Sequence, residues 1–127
     1  MSEPKKRILI VDDEDDIREV AQVSLELVGQ YEVMTAASGR DGVQRARAEQ
    51  PDAILLDVMM PDLDGPGTLA ELRADPATRD IPVVFLTAKT QQADRARLAE
   101  LGAAGILVKP FDPLKLPAEI AATLRWT

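Results

Sequence analysis

The residues best suited to chemistry are acids that stand at the ends of apolar, strand-like runs. Asp57 closes the run Ala53–Leu56, and Asp12 and Asp13 follow the run Arg7–Val11. In an open parallel sheet the carboxyl ends of the strands lie at one edge, where such folds place their sites. Two unit charges 4 Å apart interact by about 4 kcal/mol at an effective dielectric of 20, so three clustered carboxylates repel strongly unless a cation joins them. We therefore predict a divalent-cation site at this edge.

Two further polar residues follow strand-like runs in the second half of the chain. Thr87 follows 81–86, and Lys109 follows 105–108. The threonine hydroxyl could donate a hydrogen bond to a phosphoryl oxygen, and the lysine ammonium could pair with Asp57 or with a phosphate. The acids, the hydroxyl and the ammonium together predict a site that accepts a phosphoryl group.

The composition limits the kinds of site that the chain can form. It has 127 residues, a net charge of −7, no cysteine and no histidine. Disulfides, thiolate nucleophiles, imidazole bases and zinc sites of the usual type are thereby excluded. Any metal must be bound by oxygen, which favours magnesium, calcium or manganese. The negative charge disfavours contact with nucleic acids or anionic membranes.

The length and hydropathy are typical of a single small domain. We expect one domain over residues 1–127, structured from about 6 to 126, with residues 1–5 as a flexible tail and the basic cluster Lys5-Lys6-Arg7 solvated. No apolar run reaches a membrane span and no signal peptide is recognisable, so we expect a soluble, cytoplasmic protein. The chain ends directly after the last predicted helix, so we expect a stand-alone protein with no attached output domain.

Strand-like and helix-like segments alternate five times along the chain. We predict strands at about 7–11, 31–36, 53–57, 81–86 and 105–108, and helices at about 15–29, 38–50, 65–74, 90–101 and 116–125. The predicted caps are Asp15, Ser38 and Thr90, and Gly29 is expected to end the first helix. The apolar face of that helix is predicted to contain Ile17, Val20, Ala21, Ser24 and Val28. This alternation predicts an α/β fold, a doubly wound parallel sheet with helices on both faces.

The motifs at the strand ends resemble those of a known family. Asp12-Asp13, Asp57 with 60–65, Thr87-Ala88 and Lys109-Pro110-Phe111 resemble, in order and spacing, the receiver domain of bacterial two-component response regulators. The resemblance covers about residues 6–126. It implies a flavodoxin-like, five-stranded sheet in the order 2-1-3-4-5.

The resemblance also implies a role for each site residue. Asp57 would accept a phosphoryl group from a histidine of a partner kinase. Asp13, Asp57 and the Met59 backbone carbonyl would bind Mg²⁺, and Asp12 would act mainly through a metal-bound water. Thr87 and Lys109 would contact the phosphoryl oxygens, and the Lys109–Pro110 bond would be cis.

One position departs from the family pattern. Three residues before the lysine the family usually has Tyr or Phe, whereas this chain has Ile106. An aromatic rotamer switch coupled to the Thr87 hydroxyl is therefore not expected in its usual form, because a β-branched side chain is stiff at χ1. Lys89, two residues after Thr87, is expected to affect mainly the lifetime of the phosphoryl group.

The function predicted from the sequence is a signalling domain and not an enzyme with a turned-over substrate. The expected partners are a sensor histidine kinase or a histidine phosphotransfer protein, and a downstream protein that binds the surface of the fourth helix, fifth strand and fifth helix. We expect no direct nucleic-acid or membrane partner, and a monomer or weak homodimer.

Two alternatives remain open at this stage. The first is a receiver-like module that binds a protein without phosphorylation, which Ile106 favours. The second is a Mg²⁺-dependent phosphatase with an aspartyl nucleophile. Such enzymes usually need a second acid two residues past the nucleophile, and Met59 occupies that position.

Overall fold

The computed structural model describes residues 5–88 and 92–126. Within these residues the chain forms one parallel sheet in the order β2-β1-β3-β4-β5. The strands are β1 (Arg7–Val11), β2 (Glu32–Ala36), β3 (Ala53–Asp57), β4 (Val83–Thr87) and β5 (Gly105–Val108). The helices are α1 (Asp15–Val23), α2 (Gly39–Glu49), α3 (Gly65–Ala74), α4 (Gln92–Ala99) and α5 (Leu116–Leu124), and a π-helical segment (Ser24–Val28) directly follows α1. The predicted fold class and strand order are confirmed.

Helices cover both faces of the sheet, and the alternation of side chains along each strand divides the core in two. Leu9 and Val11 of β1 pack towards α2, α3 and α4, whereas Ile8 and Ile10 pack towards α1 and α5. Every residue of β3 and β4 is buried. Two-sided burial explains why these strands are apolar throughout and do not alternate with polar residues.

The strand register brings the predicted site residues to one edge of the sheet. Val11, which precedes Asp12, is paired with Leu56, which precedes Asp57. Asp57 is paired with Leu86, and Thr87 is paired with Val108 directly before Lys109. The carboxyl ends of four strands therefore lie side by side, as the sequence predicted.

Local capping fixes the starts of α2 and α3, which pack on the same face of the sheet. The Ser38 side chain accepts a hydrogen bond from the Asp41 N–H at 3.1 Å and begins α2, and Asp64 accepts from the Gly67 N–H at 2.8 Å and begins α3. Pro117 lies in the first turn of α5, where its missing N–H leaves no hydrogen bond unmade. The predictions for Ser38 and Pro117 are both confirmed.

The first helix differs from its prediction in its cap and in its buried face. Glu14 and not Asp15 is the N-cap residue, and it makes no side-chain capping bond. Of the predicted apolar face, Ala21 and Ser24 are buried and Ile17 is half-buried.

The remaining two residues of that predicted face, Val20 and Val28, are exposed, and Leu25 is buried instead. A π-helical turn changes the spacing of side chains around the helix. A period of 3.6 residues therefore misplaces Val28, which lies in the π-helical segment, whereas the exposure of Val20 in the regular part of α1 has no such cause.

Gly29 ends this helical region, as predicted, but for a steric reason. Its backbone is right-handed, with φ −82°. A Cβ atom there would lie 2.7 Å from the Tyr31 ring, so the ring packs over a position that only glycine leaves open.

Two smaller predictions concern the fourth helix and the N-terminus. The predicted cap Thr90 lies outside the described residues, and α4 ends at Ala99, two residues earlier than expected. The basic cluster is not a solvated tail throughout. Arg7 begins β1 and pairs with Glu49 at 3.0 Å. The Lys6 ammonium lies 5.2 Å from the centre of the Trp126 ring.

Among the described residues, no helix has the length and apolar character needed to cross a membrane.

Candidate functional site

The three acids of the sequence prediction meet at the edge formed by β1 and β3. One carboxylate oxygen from each of Asp12, Asp13 and Asp57 lies within 4.8 Å of the other two. Asp12 is 1% exposed and Asp57 is 3% exposed, while Asp13 is half-buried. Such burial of carboxylates is unfavourable unless positive charge compensates them.

The cluster also contains unsatisfied oxygens. The buried atoms Asp12 Oδ2, Asp13 Oδ1 and Asp57 Oδ2 accept no hydrogen bond from the described residues. Buried polar atoms are nearly always satisfied in folded proteins. An oxygen-only set with free lone pairs is what Mg²⁺ binds, so the residues present fit this cation.

Lys109 supplies the positive charge nearest to these acids. Its ammonium lies 3.1 Å from Asp57 Oδ1 and 3.2 Å from Asp12 Oδ2. The charge of Asp12 Oδ2 is thus compensated by an ion pair with Lys109. The Lys109 side chain is 11% exposed. The Lys109 backbone N–H donates to the Thr87 carbonyl at 2.8 Å. The end of β5 is thus held against the end of β4.

The surroundings of Asp57 favour its neutral form. Burial and the nearby Asp12 charge raise the pKa of Asp57 to about 6, although Lys109 and the Met59 N–H act in the opposite direction. A bound cation would favour the ionised form instead.

The surroundings of Lys109 favour its charged form. Burial alone would lower the pKa of Lys109, but the charges of Asp12 and Asp57 outweigh burial and raise it. Lys109 therefore carries a full positive charge at neutral pH.

The other predicted site residues occupy positions around this cluster. Thr87 is fully buried at the end of β4. The Met59 side chain is 64% exposed and stands at the surface two residues after Asp57. Ile106 is half-buried, is paired with Phe85, and packs on the core between the sheet and α2, α3 and α4. The Lys109–Pro110 peptide bond is cis, as the resemblance implied. Lys89 lies outside the described residues.

Sequence reasoning missed two residues that shape the site. Gly65 passes so close to β3 that a Cβ atom would lie 2.6 Å from the Asp57 carbonyl oxygen, and its N–H donates to the Val58 carbonyl at 2.9 Å. Glu14 places its Oε1 atom 3.3 Å from the Lys109 ammonium. The Asp-Gly pair at 64–65 signalled a tight turn, but nothing local signalled a contact between residues 95 positions apart.

Comparison with known families assigns the chain to a family. Residues 8–121 match the response regulator receiver domain. This protein belongs to that family. Receiver domains bind Mg²⁺ at an acidic pocket, and Asp12, Asp13 and Asp57 form a group that could hold a metal ion.

The similar proteins of known sequence are longer than this chain. It is 45% identical over 125 residues to "Probable transcriptional regulator ycf27" of Guillardia theta, covering 98% of this chain and 48% of that protein. It is 42% identical over 120 residues to the alkaline phosphatase synthesis transcriptional regulatory protein PhoP of Bacillus subtilis, covering 94% and 49%. The chain thus spans about half the length of the curated relatives it matches, and their names do not support the expectation of a protein without a nucleic-acid partner.

Solved structures share the fold closely. The chemotaxis protein CheY4 of Vibrio cholerae superposes with a TM-score of 0.86 at 33% identity, covering 94% of this chain and 98% of that one. The N-terminal domain of a response regulator receiver protein from Methanoculleus marisnigri superposes with a TM-score of 0.74 at 37% identity, covering 95% and 98%.

Proposed function

We propose that Asp57 accepts a phosphoryl group from a phosphohistidine of a partner protein, with the help of Mg²⁺. The observation that carries this proposal is the set of three clustered acids with unsatisfied oxygens beside the Lys109 ammonium. A purely structural cluster of acids would be expected to satisfy its oxygens from within the protein.

The reaction needs the ionised form of Asp57. A carboxylate oxygen of Asp57 attacks phosphorus, the phosphorus–nitrogen bond of the donor breaks, and the electron pair remains on the imidazole nitrogen. Asp12, Asp13 and Asp57, with the Met59 carbonyl as a further candidate, would hold the cation. When bound, it neutralises negative charge on the transferring group. The chain itself positions the acceptor and supplies charge, which is how proteins generally assist phosphoryl transfer.

Lys109 and Thr87 have complementary roles in this proposal. The ammonium already contacts Asp57 Oδ1, so a phosphoryl group added to Asp57 arrives within its reach. The Thr87 hydroxyl, at the end of the neighbouring strand, would donate to another phosphoryl oxygen. The added group has close to two negative charges and three strong acceptors, which suffices to reorganise the ends of β4 and β5.

The proposed partners are proteins. The donor would be a sensor histidine kinase or a histidine phosphotransfer protein, and the output would be a protein bound to the surface of α4, β5 and α5. For this domain itself, the net charge of −7 argues against direct contact with nucleic acid. We propose that it acts in the cytoplasm as a signalling domain and not as an enzyme with a free substrate.

Incubation with a small acyl phosphate and intact-mass measurement tests this function. We expect one phosphate adduct in the presence of Mg²⁺, none in Asp57→Asn, and strong suppression in excess chelator. An adduct that persists in Asp57→Asn, or that forms equally well with chelator, contradicts the proposal.

A second candidate is a protein-binding module that works without phosphorylation. It is favoured by Ile106, which already packs on the core and therefore lacks the mobility of a switch residue. In that case the parent protein would take up no phosphate under conditions in which its partner binds at full affinity.

A further inference from the structure

A third carboxylate, outside the cluster of buried acids, contacts the Lys109 ammonium. Glu14 Oε1 lies 3.3 Å from the Lys109 ammonium, as a hydrogen-bonded ion pair. The Glu14 side chain is 60% exposed, in contrast to the buried acids Asp12 and Asp57 that hold the same ammonium. Lys109 is therefore shared between two inner carboxylates and one at the rim of the pocket.

The position of Glu14 is fixed by the start of α1. Its N–H donates to Asp12 Oδ1 at 2.9 Å, and its carbonyl accepts from the Arg18 N–H at 3.0 Å. Glu14 is thus attached to the rim by its own backbone, and only its side chain reaches across to β5.

The inner contacts of Lys109 compete with the proposed cation. Asp12 and Asp57 are acids that would hold Mg²⁺, and both lie against the ammonium. An ammonium drawn deeper between them would neutralise the same oxygens and repel a second positive charge. A partner on the outside opposes that movement.

We propose that Glu14 is a positioning residue that holds the Lys109 ammonium at the rim and so keeps the cation position accessible. The inference rests on the proposed function, because it assumes that the three acids bind Mg²⁺. Glu14 acts through Lys109 and not as a ligand of the cation.

Calorimetric titration with Mg²⁺ tests this role without any phosphoryl transfer. Glu14→Gln removes the charge that holds the ammonium, and we expect Mg²⁺ affinity to fall by about fivefold, the upper range for a partly exposed ion pair. Asp16→Asn is the matched control. Asp16 is also exposed and lies two residues further along, and its carboxylate makes no hydrogen bond or ion pair with the described residues. We expect this control to weaken binding by less than about twofold, because a solvated charge acts only through screened repulsion.

A double-mutant cycle with Lys109→Met separates the two ways in which Glu14 could act. Without the ammonium there is nothing to hold, so Glu14→Gln should then weaken Mg²⁺ binding no more than Asp16→Asn does. Equal losses with and without Lys109 would mean that Glu14 acts on the cation directly, which overturns the proposal. An affinity for Glu14→Gln that equals the Asp16→Asn value, or exceeds that of the parent, overturns it as well.

The parent protein distinguishes failure of this inference from failure of the proposed function. If the parent binds no Mg²⁺ and gains no phosphate dependent on Asp57, the function is wrong and the inference falls with it. If the parent does both and the cycle shows no coupling, only the role of Glu14 is wrong.

Discussion

At the scale of single residues, the pocket is defined by charge that is only partly compensated. Asp12 and Asp57 are almost fully buried, and Lys109 is the one ammonium that the structure places between them among the residues described. One positive charge faces three clustered carboxylates, and Glu14 takes a share of it. The pocket is therefore arranged for a further cation at the expense of the stability of the cation-free protein.

The raised pKa of Asp57 makes the stability of the cation-free protein depend on pH. The pKa of Asp57 is about 6 in the folded protein, against 3.8 as its ordinary value. The folded state binds the Asp57 proton more tightly than the unfolded state does. Protonation of Asp57 therefore stabilises the folded protein fully below pH 3.8, and this stabilisation is lost as the pH rises through about 6. In chelator, we expect the free energy of unfolding of the parent, relative to Asp57→Asn, to fall by about 1 kcal/mol between pH 5 and pH 7.5.

Urea unfolding at the two pH values measures this difference. Asp57→Asn is the reference because it leaves every other titrating group in place. A constant difference between parent and variant would show that Asp57 is ionised at pH 5. With saturating Mg²⁺ the dependence should vanish, since a bound cation restores a low pKa.

At the scale of elements, the fold could be read from the sequence where the pattern is local. The apolar runs that became β1, β3 and β4, the cap Ser38, and the position of Pro117 in the first turn of α5 are determined by neighbouring residues. The convergence of the strand ends also followed from the fact that parallel strands share one edge. The π-helical segment after α1 was not predictable, because a period of 3.6 residues describes only the regular helix. The Glu14–Lys109 contact depends on how far α1 leans towards β5, which no local pattern contains.

The loop from β3 to α3 gives a prediction at this scale. In Gly65→Ala the new methyl group would meet the Asp57 carbonyl oxygen at 2.6 Å and Val58 Cα at 2.7 Å. Both atoms belong to the backbone, so the loop must move, and we expect a loss of about 2 kcal/mol in the free energy of unfolding. The rate of phosphorylation at Asp57 should fall as well.

Gly67→Ala is the matched control in the same helical turn. Its methyl group would meet the Leu63 Cδ1 atom at 2.8 Å, which is the end of a side chain and can rotate away. Since alanine also favours a helix by up to about 1 kcal/mol over glycine, this variant should be close to neutral. Equal losses in the two variants would show that the close approach at Gly65 is not the cause.

At the scale of the whole molecule, binding of a cation at the pocket changes the free energy of unfolding of the folded chain. The sequence indicated a receiver domain, and the family match over residues 8–121 confirms that family. The prediction that the protein stands alone stays a prediction, because the chain spans about half of its curated relatives.

Mg²⁺ is expected to bind the folded state and not the unfolded state, so it should raise the melting temperature. At a Mg²⁺ concentration ten times the dissociation constant, binding adds about 1.4 kcal/mol to the free energy of unfolding. That corresponds to a rise of about 5 °C for a domain of this length. Scanning calorimetry with Mg²⁺ and with chelator measures the shift. Asp13→Asn should lose the response and should melt no lower than the parent in chelator, because one repelling charge is gone. A melting temperature unaffected by millimolar Mg²⁺ contradicts the cation site.

The size of the conformational change on phosphorylation depends on Ile106. It is paired with Phe85 and packs on the core, so it has no aromatic ring to move between a buried and an exposed position. A switch from 1:99 to 99:1 needs about 5.5 kcal/mol of differential interaction, and we expect Ile106 to allow less.

Hydrogen exchange of the β5 amides, with and without beryllofluoride as a phosphoryl mimic, measures the response. We expect protection from exchange to change by less than about tenfold in the parent. It should change by more in Ile106→Tyr, where an aromatic ring can move between a buried and an exposed position. A change beyond about a hundredfold in the parent would show that a stiff, β-branched side chain does not limit the switch.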